Sequence, residues 1–297
     1  MPITIAAAFF QNLRSALQKH LKARLSTTGA TFARFAYAVP LALLYAWGLA
    51  TLAGFAVPRP NPTFLAYATL GGLSQITATA LLVHLFSFRN FAVGTTYSKT
   101  ETVQTALFGI VILGETLSFG ATMAILISLV GVMAISVART DTGLRTLLFG
   151  WTERTALIGI ASGAFFGISA VSYRAAALSL GGEGFLMQAA FTLVCVTLFQ
   201  TVAMALYMRV REPGQLTAVW RSWRVSGLVG LSGMVASACW FTAMTIQNAA
   251  YVRALGQVEL LFTFAAAHFF FRERSNALEL AGIGLVVAGI LILLLFR

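Results

Sequence analysis

The stretch of sequence that decides the fold reads Lys99-Thr-Glu-Thr-Val-Gln-Thr-Ala-Leu-Phe-Gly-Ile-Val-Ile-Leu-Gly-Glu115, and the chain contains it twice. At an offset of 158 residues, the second copy reads Gln257-Val-Glu-Leu-Leu-Phe-Thr-Phe-Ala-Ala-Ala-His-Phe-Phe-Phe-Arg-Glu273. Among the residues that recur at this offset without a gap are Gly72, Leu73, Ser74, Asn90, Ala92, Glu101, Thr105, Glu115 and Gly131. Shared apolar composition does not bring Asn and Glu into register. We therefore interpret the two copies as an internal duplication.

The composition predicts an all-α integral membrane protein. Of the 297 residues, 59% are hydrophobic and only 10% are charged, whereas a soluble domain carries roughly 25% charged residues. Apolar runs of about 18 residues or more, each long enough to span a bilayer as a helix, recur along the chain. The ten predicted transmembrane spans are 3–21, 27–51, 63–87, 91–113, 119–138, 155–178, 184–208, 225–245, 249–271 and 277–296.

The spans divide into two repeats of five. Residues 1–138 form the first repeat, residues 139–154 connect the repeats, and residues 155–297 form the second. Because five is an odd number, the second repeat enters the membrane from the opposite side, so we expect inverted repeats. In transporters of that architecture the substrate site lies near the midplane, at the interface of the repeats.

The basic residues predict an orientation in a bacterial-type inner membrane. The net charge is +11, but the cations lie mostly in short loops, so we expect a membrane partner rather than nucleic acid. Loops after odd-numbered spans carry twelve cations, against only Arg59 and Arg297 on the other side, which predicts that both termini lie outside. The twelve are Lys22, Arg24, Arg89, Arg139, Arg145, Arg154, Arg209, Arg211, Arg221, Arg224, Arg272 and Arg274.

Small residues and caps predict local packing. Gly159, Gly163 and Gly167 recur every four residues, and Gly227, Gly230 and Gly233 every three, so we expect a neighbouring backbone to approach each group closely within the chain. Ser118 and Asn276 occupy matching positions before spans 5 and 10 and are predicted to cap them. Glu115 and Glu273 are then interpreted as turn residues. Cys195 and Cys239 lie in apolar runs and are interpreted as packing residues.

The end of each repeat resembles the EamA-type members of the drug/metabolite transporter superfamily. The first copy reads Leu113-Gly-Glu-Thr-Leu-Ser118 and then Gly131-Val-Met-Ala, and the second reads Phe271-Arg-Glu-Arg-Ser-Asn276 and then Gly289-Ile-Leu-Ile. The resemblance implies two tandem EamA-type repeats, a transporter and both termini in the cytoplasm, which disagrees with the charge count. In that family the preceding helix often carries Glu-Pro. Here the prolines are replaced by Thr102 and Leu260, next to Glu101 and Glu259.

Charged residues inside the spans are the candidates for substrate binding or coupling. Charges at the bilayer centre cost at least about 2.5 to 3.5 kcal/mol each, so they face a wet cavity or pair with one another. At about 100° per residue, a regular helix places Lys99 roughly 200° from Glu101, so we expect one to line a cavity and the other to pair with a neighbouring helix. Lys19, Arg34 and Arg174 lie near span ends and are predicted to snorkel. The full candidate set is Lys99, Glu101, Tyr97, Gln104, Arg253, Gln257, Glu259, Arg14 and Trp240.

These candidates support two interpretations. Each charge either forms a structural ion pair between helices or helps to grip a zwitterionic or charged metabolite. Burial favours the protonated form of a carboxylate, so Glu101 or Glu259 is also a candidate for carrying a coupling proton; no other cofactor and no metal is expected.

A secondary transporter, exporting a small polar or amphipathic metabolite such as an amino acid, fits the resemblance and the buried charges best. An intramembrane enzyme or a non-transporting scaffold is the alternative, but the sequence has no catalytic motif such as His-Glu-x-x-His. The substrate, the direction of transport, the coupling ion and the oligomeric state stay open.

Overall fold

The computed structural model describes residues 1–22, 24–85, 88, 91–138, 150–182, 184–269 and 276–296. Within these ranges the chain is helical and has no strand, so the predicted all-α class is confirmed. The turn glutamate Glu273 lies outside the described residues. The α-helices are α1 (Pro2–Leu21), α2 (Thr27–Ala36), α3 (Ala38–Thr51), α4 (Pro62–Leu85), α5 (Phe91–Ser98), α6 (Glu101–Leu113), α7 (Phe119–Ala138), α8 (Arg154–Ser179), α9 (Phe185–Arg211), α10 (Gln215–Arg221), α11 (Trp223–Ile246), α12 (Ala249–Gly256), α13 (Glu259–Phe269) and α14 (Ala277–Leu295).

Seven helical stretches in the described part of the chain are long and apolar enough to cross a membrane. They are Thr27–Thr51, Pro62–Leu82, Phe119–Ala138, Arg154–Ser179, Phe185–Arg211, Trp223–Ile246 and Ala277–Leu295. The other three predicted spans are not among these seven stretches, for two reasons. Helix α1 carries Gln11, Asn12 and Arg14 in its middle, and predicted spans 91–113 and 249–271 are each divided into two short helices.

The division of these two spans corrects the expectation of regular helices. Helix α5 ends at Ser98 and α6 begins at Glu101, while α12 ends at Gly256 and α13 begins at Glu259. The predicted span 27–51 is also divided, at Tyr37, between α2 and α3. Neither break in the repeated stretch contains proline. The glutamates that were expected inside helices are therefore the first residues of α6 and α13.

The bounds of the short helices repeat at the sequence offset. Adding 158 to the bounds of α5 gives those of α12, and adding 158 to the first residues of α6 and α7 gives those of α13 and α14. The duplication seen in the residues therefore extends to where the helices begin and break.

The chain divides into two compact units, each containing residues from both predicted repeats. Unit 1 consists of Met1–Leu73 and Ser172–Gln247, and unit 2 of Ser74–Val171 and Asn248–Arg297. The predicted boundaries at residues 138 and 155 describe a division by sequence and stay a prediction.

Unit 1 is held together by aromatic and small side chains. Helix α11 packs against α1, α2, α3 and α9. In its core, the ring of Tyr173 stacks on Phe241 with 4.6 Å between centroids, and the fully buried Phe64 lies 5.5 Å from Phe191. Burying whole aromatic side chains contributes much of the stability of such a core.

Unit 2 is held together by close helix contacts at small residues. Helices α7 and α14 pack along much of their length, and a Cβ atom on Gly131 would lie 2.6 Å from the carbonyl oxygen of Gly282. Helix α12 packs its Ala250 and Ala254 in one apolar cluster with Ala106 of α6. Small residues at these contacts let the backbones approach each other.

The predicted close approach of a backbone to the α8 glycines is confirmed. A Cβ atom on Gly159 would clash with the carbonyl oxygen of Gly94 in α5, and Cβ atoms on Gly163 and Gly167 would come within 2.9 Å and 3.1 Å of backbone atoms at Ser98 and Thr105. The glycine stripe therefore lies against the broken helix α5–α6.

The glycines of α11 follow the prediction only in part. Gly230 faces Tyr37, at the break between α2 and α3, so the prediction holds there. Gly233 lies against the side chains of Arg14 and Arg34 rather than a backbone. For Gly227 the prediction is wrong, because a Cβ atom there would meet open space.

The predicted helix caps are confirmed at both matching positions. The hydroxyl of Ser118 accepts a hydrogen bond from the N–H of Ala121 at 3.1 Å, and the side-chain oxygen of Asn276 accepts one from the N–H of Glu279 at 2.8 Å. Each cap satisfies a donor that the first turn of a helix leaves free. The caps fix where α7 and α14 begin in the two copies.

Candidate functional site

The two breaks in the repeated stretch have the same backbone hydrogen bonds. In the first copy, the N–H groups of Lys99 and Thr100 donate to the carbonyls three residues earlier, at 3.0 Å and 3.1 Å. In the second copy, Gln257 and Val258 do the same at 3.2 Å and 3.1 Å. Such bonds tighten the chain to a 3₁₀ turn, which in the middle of a helical span often marks a functional hinge.

Side-chain hydroxyls make additional hydrogen bonds at the first break. The hydroxyl of Ser98 donates to the carbonyl of Thr95 at 2.8 Å, and that of Thr100 donates to the carbonyl of Tyr97 at 2.6 Å. Ser and Thr offer the backbone such alternatives to helical hydrogen bonds. The second copy has Gly256 and Val258 at the matching positions, and neither residue has a hydroxyl.

Four charged candidates meet at these breaks in two ion pairs. Arg253 Nε lies 3.1 Å from Glu101 Oε1, and Lys99 Nζ lies 3.5 Å from Glu259 Oε1. Each pair joins one copy of the repeat to the other, so the arrangement is crossed. The expectation that only one of Lys99 and Glu101 pairs with a neighbouring helix is wrong, because the break removes the regular helix on which it rested.

The helix ends favour the signs of these charges. Glu101 and Glu259 occupy the first turns of α6 and α13, where the unsatisfied N–H groups attract anions. Arg253 lies in the last turn of α12, where the carbonyls attract cations. Breaking the two helices therefore creates ends that stabilise charges inside an otherwise apolar span.

Two amide side chains lie beside the ion pairs. Gln257 donates to the hydroxyl of Thr102 at 3.0 Å, and Gln104 donates to the hydroxyl of Thr100 at 2.8 Å and to the carbonyl of Ile160 at 3.3 Å. Within the described part of the chain, neither amide oxygen accepts a hydrogen bond. Buried acceptors are usually satisfied, so these two oxygens are exceptions to that rule.

Tyr97 was predicted to be a candidate for substrate binding, but its side chain packs in an apolar cluster. Its ring is buried in a small apolar cluster with Val93, Val137 and Ala156. Its connection to the break is through the backbone, because its carbonyl accepts the hydrogen bond from Thr100. The structure therefore gives Tyr97 a packing role.

The remaining two candidates belong to unit 1. The indole N–H of Trp240 donates to the side-chain oxygen of Gln11 at 3.0 Å. Arg14 is only 9% exposed, and its stem lies beside Gly233 together with the stem of Arg34. These side chains are polar groups of unit 1, on helices α1, α2 and α11.

Arg174 has a role that the sequence did not predict. Its guanidinium donates to the carbonyls of Met244 at 2.6 Å, Gln247 at 2.9 Å and Thr245 at 3.2 Å, at the end of α11. It therefore caps a helix C-terminus, and the expectation that it snorkels stays a prediction. The buried Gln200, which donates to the hydroxyl of Tyr173 at 3.2 Å, was also missed, and its polarity within an apolar run was the available signal.

The comparisons with known proteins agree with the resemblance seen in the sequence. Residues 154–295 match the model of the EamA-like transporter family. This part of the chain is an EamA-like transporter domain. The family recognised from the sequence motifs is thereby confirmed for the second repeat, and the match favours a membrane transporter.

A solved structure shares the fold. Among 28 matching chains, one that is titled "Crystal structure of protein" aligns with a TM-score of 0.71 over 98% of this chain and 94% of that chain. At 17% identity, this similarity concerns the fold alone. No curated protein matches the sequence.

Proposed function

We propose that this EamA-like protein is a secondary transporter that exports a small zwitterionic metabolite, such as an amino acid, from a bacterial-type cell. The observation that carries the proposal is the crossed arrangement of Lys99, Glu101, Arg253 and Glu259 at matched helix breaks. A zwitterion carries the same two charges as each pair, so its carboxylate fits a cation and its ammonium fits a carboxylate.

The proposed architecture has ten spans in two inverted repeats that alternate access to the substrate. Helix ends that face ions from broken spans are typical of transporters built on inverted repeats. The matching bounds of α5 with α12, and the matching starts of α6 with α13, support this architecture. One glutamate, Glu101 or Glu259, carries the coupling proton in this proposal.

Flux through reconstituted protein tests the function. Purified protein in liposomes, each batch loaded with one labelled proteinogenic amino acid, should release at least one of them faster than protein-free liposomes do. A matched amine and a matched acid, each lacking one of the two charges, should leave more slowly than the zwitterion. Flux of none of these solutes would contradict the proposal and favour the scaffold or intramembrane enzyme.

The orientation is proposed from the loop charges, with both termini outside the inner membrane. A periplasm-specific reporter fused after the last residue, Arg297, should then be active. Activity of a cytoplasm-specific reporter at the same site would instead support the orientation that the family resemblance implies. This result would change the orientation and leave the proposed transport as it stands.

A further inference from the structure

The two ion pairs differ in their cations. The carboxylate side chains of Glu101 and Glu259 are equally exposed, at 21% and 22%. In contrast, the side chain of Lys99 is 44% exposed and that of Arg253 only 18%. The contact to Lys99 is also longer, at 3.5 Å against 3.1 Å. One pair is therefore open on its cationic side, and the other is enclosed.

The exposure of Lys99 indicates contact with water. Leu107 on α6 is exposed to a similar extent, 57%, and an apolar side chain of this kind fits lipid. An ammonium group is strongly hydrated and is excluded from hydrocarbon. Since Lys99 lies within a predicted span, its exposed part fits a water-filled route through the membrane rather than the lipid.

The residues around the Arg253–Glu101 pair hold this ion pair in place. Next to Arg253, Ala254 and Leu255 pack in the apolar cluster that contains Ala106 of α6. The hydrogen bond from Gln257 to Thr102 joins the same two copies. Removing one partner of an enclosed ion pair leaves a charge without compensation, whereas an exposed pair contributes little to stability. The Lys99–Glu259 pair is thus the easier one to open.

We infer that the two ion pairs have different roles: the Lys99–Glu259 pair faces water and opens to bind a solute, whereas the Arg253–Glu101 pair stays closed and ties the two copies together. In the open state, Lys99 binds the anionic group of the solute and Glu259 its ammonium group. The inference rests on the proposed transport function and assigns the substrate-binding charges within it.

Cysteine labelling tests which pair faces water without a known substrate. Cys195 and Cys239, the two native cysteines, are first replaced by alanine. Single variants K99C and Q257C are then labelled in detergent with methanethiosulfonate ethylsulfonate. Gln257 is the matched control, because it is the counterpart of Lys99 at the offset of 158 and is 9% exposed. L107C reports a lipid-facing site and A56C, in the exposed loop before α4, reports free access to water.

We expect K99C to react at least about ten times faster than Q257C and L107C, and A56C to react fastest. Equal rates at K99C and Q257C would overturn the inference, and so would a K99C variant that stays unlabelled while A56C reacts. An R253C variant in the E101Q background, where no glutamate charge is left unpaired at position 101, should react as slowly as Q257C. A fast reaction of R253C in this background would show that the Arg253–Glu101 pair is open to water too.

Chemical rescue tests the role of the ammonium group. K99C should lose flux of the transported amino acid at least about ten-fold. Methanethiosulfonate ethylammonium, which restores a cation at position 99, should recover much of that flux, whereas the ethylsulfonate reagent should not. Labelling of K99C without rescue by the ammonium reagent would overturn the binding role of Lys99. Absence of flux in the unmodified protein would instead contradict the proposed function, while the labelling rates would still decide which pair faces water.

Discussion

The two helix breaks have the same backbone and different side chains. At both breaks, N–H groups donate to carbonyls three residues earlier, and a glutamate begins the next helix. Hydroxyl groups accompany the break at Ser98 and Thr100, but Gly256 and Val258 stand at the second. A break that persists when its local residues change is specified by the packing of the repeated helices rather than by one local motif.

The charges differ between the copies in a related way. The carboxylates, Glu101 and Glu259, match at the offset, but the cations do not: Lys99 corresponds to Gln257, and Arg253 corresponds to Thr95. Arg253 lies one helical turn before Gln257. Its side chain, which is longer than that of glutamine, reaches Glu101. The duplication therefore keeps the place of the anions, while each copy supplies its cation from a different position. Exchanging residues between the copies tests what each difference contributes.

The largest effect is expected when Gly94 receives the residue of the second copy, in the variant G94V. Its counterpart at the offset is Val252, but a Cβ atom on Gly94 would lie 2.7 Å from the carbonyl oxygen of Thr155 and would clash with Leu85. Overpacking against a backbone should cost about 3 kcal/mol or more. The measurement is the apparent melting temperature of the purified protein in detergent.

Gly227 provides the matched control, because open space surrounds it. G227V should melt close to the unmodified protein, apart from the small helix-propensity effect of valine. If G94V melted as high as G227V, the close approach of α8 to α5 would not be needed for stability.

The next largest effect is expected for R253Q, which leaves Glu101 without its cation. Breaking an enclosed ion pair costs about 3 to 5 kcal/mol, and the partial exposure of this pair places the loss near the lower value. The double variant R253Q/E101Q should recover much of the lost stability, because no unpaired charge remains. Thermal unfolding of the single and double variants measures both effects. Equal melting of R253Q and the unmodified protein would contradict a structural tie.

A smaller effect is expected for R253T/Q257K, which gives the second copy the cation pattern of the first. Lysine at position 257 then stands where Lys99 stands in the first copy and replaces Arg253 as the partner of Glu101. The double variant should be within about 1 kcal/mol of the unmodified protein. The single variants R253T and Q257K should each lose more stability than the double variant. This difference measures the energetic coupling between the two neighbouring positions. Losses that simply add up would show that the two copies are not interchangeable at this position.

The smallest effect on stability is expected for K99Q, which gives the first copy the residue of the second. An exposed ion pair contributes roughly 0 to 1 kcal/mol, so the melting temperature should change little. Flux should nevertheless fall at least about ten-fold if Lys99 binds the substrate. K22Q, in the loop after α1, is the control for loss of a cation elsewhere. A large loss of stability in K99Q would give Lys99 the structural role assigned to Arg253.

The sequence predicted the helical class, the repeat and the residues that form the ion pairs. These features depend on composition and on the alignment of the two copies, which places Glu101 on Glu259. Composition and alignment can both be read from residue types alone. The caps at Ser118 and Asn276 were predictable for the same reason, since a cap depends on residues only a few positions apart.

The breaks themselves were not predictable from the sequence. Thr100 and Val258 are compatible with a helix, and no proline marks either break. The partners of the cations also depend on which helices pack together. Arg174, for example, reaches the end of α11 only because α8 passes it. Without the break, Lys99 and Glu101 point in different directions, which is why the sequence assigned them separate roles.

The central claim, that the charges at the helix breaks carry transport, is tested most directly by comparing E259Q with E115Q. Glu115 is the control because it lies in the turn after α6, against Gly109, and is in neither of the two ion pairs. In liposomes with equal amounts of folded protein, E259Q should release the transported amino acid at least about ten times more slowly than the unmodified protein, and E115Q should stay within about two-fold of it. Unchanged flux in E259Q would contradict the account.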